Sequence, residues 1–248
     1  MKPDGYYTGL VDRLSTRCRR WSRPLRVTAI TLLLLLLPIA GNPASAAPAG
    51  SDAHVYLLRG VLNIFSLGLD DIAARLQQQG INATVANYLS WESLANEAAA
   101  EYRSGRVRTI VLVGHSSGAT VLPDMAARLD QLGAPVKLAI GLDSVFQTSV
   151  AGHVGRYLNF YVANGGGTQV GRTNQFRGNL ENVDVGGMGV GHLSIDKSEA
   201  MQRKVVAAID AVVLSHARGT SATQQRRLEP GASKQSSAAP VRAPTINQ

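Results

Sequence analysis

Thr109-Ile110-Val111-Leu112-Val113-Gly114-His115-Ser116-Ser117-Gly118 is the stretch on which the fold of this chain turns. Its first half is apolar and β-branched and predicts a buried strand. Its second half predicts a sharp turn that opens a helix, with a serine at the apex. A serine hydroxyl is a weak nucleophile near neutral pH until a base takes its proton. The Gly-x-Ser-x-Gly spacing lifts Ser116 above the end of the sheet in a strained backbone conformation. Side chains at Gly114 or Gly118 would collide with neighbouring backbone. The five-residue pattern is common by itself; between a buried strand and a helix it is specific.

The same alternation of strand and helix runs outward in both directions. Apolar runs at 54–58, 83–88, 136–142 and 157–162 predict further strands, and the mixed stretch 180–185 is a candidate sixth strand. Phe65, Leu69, Ile72 and Leu76 share one helix face, which Gly80 ends. Ser90 reads as the N-cap of a helix reaching Arg103. Leu122, Met125, Leu129 and Leu132 mark the helix after Ser116. Met201, Val205, Ile209 and Val212 mark the last one, with Asp196 and Glu199 as a capping box. Pro123 falls inside the third helix, where it removes one backbone hydrogen bond and predicts a bend. The expectation is an α/β fold: a mostly parallel sheet of about six strands with helices on both faces. In such a sheet ligands sit beyond the carboxyl ends of the strands.

That rule sorts the partners Ser116 needs, a base and a carboxylate to orient it. His54 precedes its strand, His115 lies within the turn and reads as structural, and His216 closes the last helix. His192 follows the sixth strand through the glycine-rich loop 186–191 and is the favoured base; His153 is the rival. Asp143 directly follows the fourth strand and is the favoured acid, with Asp184 as alternative, while Asp196 is assigned to capping. An oxyanion needs two donors: the Ser117 N–H at the start of the helix, and the Val61 N–H after the Arg59-Gly60 turn. Leu62, Ile64, Phe65, Val145 and Phe146 flank this place and suit an acyl group.

These residues resemble the α/β-hydrolase fold serine hydrolases, the class of lipases, esterases, cutinases and thioesterases. The likeness spans roughly residues 55–213. The run from Gly114 to Pro123 also resembles the periplasmic VirJ-type hydrolases. The order Ser116, Asp143, His192 implies, by that resemblance, a catalytic triad and hydrolysis of an ester or thioester through an acyl-enzyme. Only about 14 residues separate Asp143 from the next strand, so a minimal, single-domain form with no lid is expected, with no cofactor and no metal. A non-catalytic binding protein on the same fold is the alternative. The run 186–191 lacks the context of a dinucleotide site, and no phosphate-loop motif occurs. The histidines show no metal-ligand spacing either.

The ends of the chain read differently from its body. Residues 1–46 carry seven Lys/Arg and two Asp/Glu, followed within that leader by the apolar run 27–40 and the small residues Ala44-Ser45-Ala46. This is the layout of a secretory signal peptide, with retention as an inner-membrane anchor through 27–40 as the alternative. Residues 217–248 are Ser-, Ala-, Gln- and Arg-rich and are expected to form a disordered basic tail. The net charge of +8 comes from the two ends. The body, 47–216, holds 13 Lys/Arg and 14 Asp/Glu, so it presents no basic face for nucleic acid. Cys18, the sole cysteine, precedes the apolar run, so no disulfide is expected after processing. The expected product is an exported, periplasmic or secreted monomer acting on a small-molecule or lipid ester, touching membrane only through leader or tail.

Overall fold

The protein is described by a computed structural model, which covers residues 52–61 and 63–228. The expected signal peptide or anchor, Leu62 and residues 229–248 lie outside the described residues. Six parallel strands form the central sheet: β1 (Ala53–Arg59), β2 (Asn82–Asn87), β3 (Thr109–His115), β4 (Val136–Leu142), β6 (His153–Tyr161) and β8 (Arg177–Asp184). Their spatial order is β2-β1-β3-β4-β6-β8. Among the described residues four α-helices flank it: α1 (Gly68–Gln78), α2 (Trp91–Arg103), α3 (Ser117–Gln131) and α4 (Glu199–Leu228). The α/β fold expected from the alternation is the fold observed.

Every residue of β3 is buried, which is why its sequence is a continuous apolar run rather than an alternating one. Its odd and even positions point to opposite faces. Val111 and Val113 meet α1 and α4 through Leu69, Ile72, Leu76, Val205 and Ile209. Ile110 and Leu112 meet α2 and α3 through Ala95, Ala98, Leu122, Met125 and Leu129. Burying each large aliphatic side chain contributes roughly 1.5–3 kcal/mol, so these two apolar layers dominate the stability. From β1 the chain moves outward to β2, then crosses back over β1 to β3. The direction of winding therefore reverses between β1 and β3, and a crevice opens there beyond the strand ends.

Several local expectations are corrected. Phe65 is not part of α1, which starts at Gly68; it stands in the preceding turn, exposed, and Leu69, Ile72 and Leu76 share the buried face with Gly68 and Ala73 instead. A Cβ at Gly68 would run into the Asp196 backbone, and this close approach sets where α1 begins. Asp196 does not cap α4. It is fully buried, and its Oδ2 accepts the Gly68 N–H at 2.9 Å, so it caps α1 instead. Ser90 sits at the N-cap position of α2 without a side-chain capping bond. Two three-residue strands, β5 (Thr148–Val150) and β7 (Val170–Arg172), pair as a small parallel sheet that the sequence pattern did not show. Pro123 is buried within α3. α4 runs to Leu228, past the boundary expected at 216, through a stretch rich in helix-forming Ala, Gln and Arg. Among the described residues no helix is long and apolar enough to cross a membrane.

Candidate active site

Ser116 stands between β3 and α3 with φ 59° and ψ −123°, a conformation non-glycine residues avoid and one that costs on the order of 1–3 kcal/mol. Packing holds it there. The Ser116 N–H donates to the Leu142 carbonyl at the end of β4, 3.0 Å away, and the Ser116 carbonyl accepts the Thr120 N–H at 3.0 Å. The two elbow glycines are required by close approach. A Cβ on Gly114 would lie 2.5 Å from the Gly118 carbonyl carbon, and one on Gly118 would overlap the Leu58 carbonyl of β1.

Asp143 follows β4 and is completely buried, also at positive φ, 56°. A buried carboxylate needs partners. Its Oδ1 accepts the Val162 N–H at 2.7 Å, and its Oδ2 lies 2.7 Å from His192 Nδ1. The next residue, Ser144, is pinned by Thr120 at 3.0 Å and accepts the Thr168 hydroxyl through its carbonyl at 3.2 Å. His192, on the loop after β8, turns its Nε2 to Ser116 Oγ at 3.0 Å. Ser116, His192 and Asp143 are thus in hydrogen-bonding sequence. With Nδ1–H donating to the carboxylate, Nε2 is left free to accept the serine proton.

The rival residues lie elsewhere. His153 opens β6 at the amino end of the sheet, exposed and 3.9 Å from Asp130. Asp184 Oδ1 accepts the Gly186 N–H at 2.9 Å in an exposed turn. His54 lies near the start of β1 and bonds Glu101.

The expected oxyanion donors flank the serine. Ser117 is the first residue of α3, so its N–H has no acceptor within the helix and sits at the positive end of the helix dipole. Val61 follows Gly60, and a Cβ on Gly60 would lie 2.8 Å from Ser116 Cβ, so the loop is pressed against Ser116. Val61, Phe65, Ser116, His192 and Leu193 line a small cavity of about 220 Å³. Of its lining residues Val61, Phe65 and Leu193 are substantially exposed, as are Ile64 and Phe146, which do not line it.

Two further polar residues were not anticipated at the site. Ser66 and His115 are both buried within its wall, at 1% exposure each. Burial holds the His115 imidazole below its usual range, although nearby Asp196 opposes this. His115 reads in the sequence as a bystander in the elbow, and no local pattern marks Ser66. Among the described residues no group of three His, Cys, Asp or Glu side chains could hold a metal ion.

No protein-family model matches the sequence, and no curated protein matches it. Among solved structures the chain is similar to a protein of Xanthomonas campestris pv. campestris provisionally described as a hydrolase of the alpha/beta superfamily. The identity is 14%, the match covers 64% of this chain and 98% of that one, and the TM-score is 0.39.

Proposed function

We propose that the protein is a serine hydrolase of the α/β-hydrolase type that cleaves a carboxylic ester or thioester. The observation that carries this reading is the pair of contacts from His192, 3.0 Å to Ser116 Oγ and 2.7 Å to Asp143 Oδ2, made by a serine in a strained elbow at a helix N-terminus. Ser116 Oγ attacks the substrate carbonyl as His192 Nε2 takes its proton. Asp143 holds the imidazole in the required tautomer and stabilises the imidazolium. The carbonyl oxygen becomes an oxyanion between the Ser117 and Val61 N–H groups, and each such donor is typically worth about 3 kcal/mol to the transition state. His192 returns the proton to the leaving alcohol or thiol. Water, deprotonated by the same imidazole, then releases the acid from the acyl-enzyme.

The apolar rim of Val61, Phe65 and Leu193 supports an acyl substrate. The basic leader and apolar run 27–40 support action outside the cytoplasm. The test is labelling with a fluorophosphonate, followed by hydrolysis of p-nitrophenyl esters of graded chain length. The wild type is expected to label and to turn over esters; Ser116→Ala is expected to do neither. A folded wild type that does not label is a binding protein on this fold, and the hydrolase reading falls.

A further inference from the structure

We propose that His115 is a positioning residue that ties the oxyanion loop to the catalytic base; this deepens the hydrolase reading and rests on it. The wiring follows from which atoms can only accept. His115 Nε2 lies 2.9 Å from the main-chain carbonyl oxygen of His192, so Nε2 carries the proton. Nδ1 of the neutral ring is then an acceptor, and it lies 2.8 Å from Ser66 Oγ, whose hydroxyl donates to it. The Ser66 oxygen in turn accepts the Gly60 N–H at 3.0 Å. Each group has one role, and the hydrogen bonds run in one direction from Gly60 through Ser66 and His115 to His192.

Both ends of this chain matter to the proposed chemistry. At one end, Ser66 engages the Gly60 N–H while the Asn63 N–H holds the Gly60 carbonyl at 3.4 Å. The turn is fixed on both sides of Gly60, directly before the Val61 N–H assigned to the oxyanion. At the other end, His115 holds the backbone of His192 itself, whose imidazole lies 5.1 Å away, centroid to centroid. The two parts of the site that come from different loops, the β1–α1 turn and the loop after β8, are thereby held at one separation. Misplacement by about 1 Å can cost a reacting group about 10²-fold in rate.

The experiment uses the full chain with p-nitrophenyl butyrate as probe, recording kcat, KM and melting temperature. His115→Phe and Ser66→Ala are each expected to lower kcat about 10- to 100-fold with KM within about two-fold. The double variant should lose no more than the worse single one, because the relay acts as a unit. His115→Gln keeps one donor and one acceptor and should recover at least about five-fold of the loss. A wild type inert to esters and fluorophosphonate removes the hydrolase reading itself. An active wild type whose folded variants retain kcat within about two-fold overturns the positioning role alone, as does a loss confined to KM or losses that multiply in the double variant. If His115→Phe does not fold, Ser66→Ala decides by the same criteria.

Discussion

Among the described residues two hydroxyl–imidazole–carboxylate sequences occur, and they differ in what surrounds the hydroxyl. In the first, Ser116, His192 and Asp143 are joined at 3.0 and 2.7 Å. In the second, Thr84 Oγ1 lies 2.8 Å from His54 Nε2, and His54 Nδ1 lies 2.7 Å from Glu101 Oε2. The side-chain distances barely differ. The backbones do. Thr84 lies in the regular strand β2, where N–H groups lie in the plane of the sheet while side chains stand perpendicular to it. No pair of donors can converge beside its hydroxyl. Ser116 is lifted out of β3 at positive φ, directly before a helix N-terminus, and borders an open cavity. The Glu101 carboxylate is also divided, because Tyr56 donates to the same Oε2 at 2.7 Å. A triad of groups is therefore common chemistry; the elbow and the donors around it make the difference.

Exchanging hydroxyls tests this most severely. Ser116→Ala should lower esterase turnover by about 10⁵–10⁶-fold, whereas Thr84→Val should leave it within about two-fold and lower stability by about 1 kcal/mol. Rates of fluorophosphonate labelling and ester hydrolysis report the first, denaturant melts the second. Comparable losses from both substitutions would make the contrast meaningless. The carboxylates come next. Asp143→Asn should reduce kcat by about 10⁴-fold with the fold retained, and Glu101→Gln should spare kcat. Steady-state kinetics beside circular dichroism separates these outcomes.

Tyr56→Phe should lower stability by about 1–2 kcal/mol, measured by urea unfolding, with unchanged turnover, because it removes a buried hydrogen bond to a charged group. The smallest effect is a pH dependence. Burial pushes the Glu101 carboxyl up, but the hydroxyl of Tyr56 and the ring of His54 outweigh it and hold the group below its usual value. A carboxyl held low in the folded state adds stability above its unfolded value, about 4.3, and loses it as the pH falls through the folded value. The stability gap between wild type and Glu101→Gln should therefore narrow as the pH drops below about 4 in a series of urea melts. A constant gap would mean that the ionised form has no advantage there.

The strand-end rule made much of this legible from residues alone. Asp143 and His192 stand just beyond strands, while His54 and His153 stand at strand starts, and the structure brings the first two to Ser116. The central strands β1, β3 and β4 were visible because buried parallel strands are nearly continuous apolar runs, whereas the edge strands β2 and β8 carry polar residues and were marked only by their place in the alternation. The pair β5 and β7 was not, since three residues are too few to show a period. Asp196 was misread because its spacing from Glu199 suits a local cap. Its actual partner, Gly68, is far away in sequence, and no local pattern records such a contact. His115 and Ser66 escaped for the same reason: their link spans 49 positions.

One consequence lies in how the sheet ends. The edge strand β8 is exposed or half-exposed along its length and meets β6 through the Arg156–Glu181 pair at 2.8 and 2.9 Å and the Asn159–Asn182 amides at 2.9 Å. Ser116 thus follows the most protected strand, and His192 lies on the loop beyond the least protected one. Edges of this kind come loose before centres do. If the hydrolase reading holds, activity is therefore expected to be lost before the middle strands unfold.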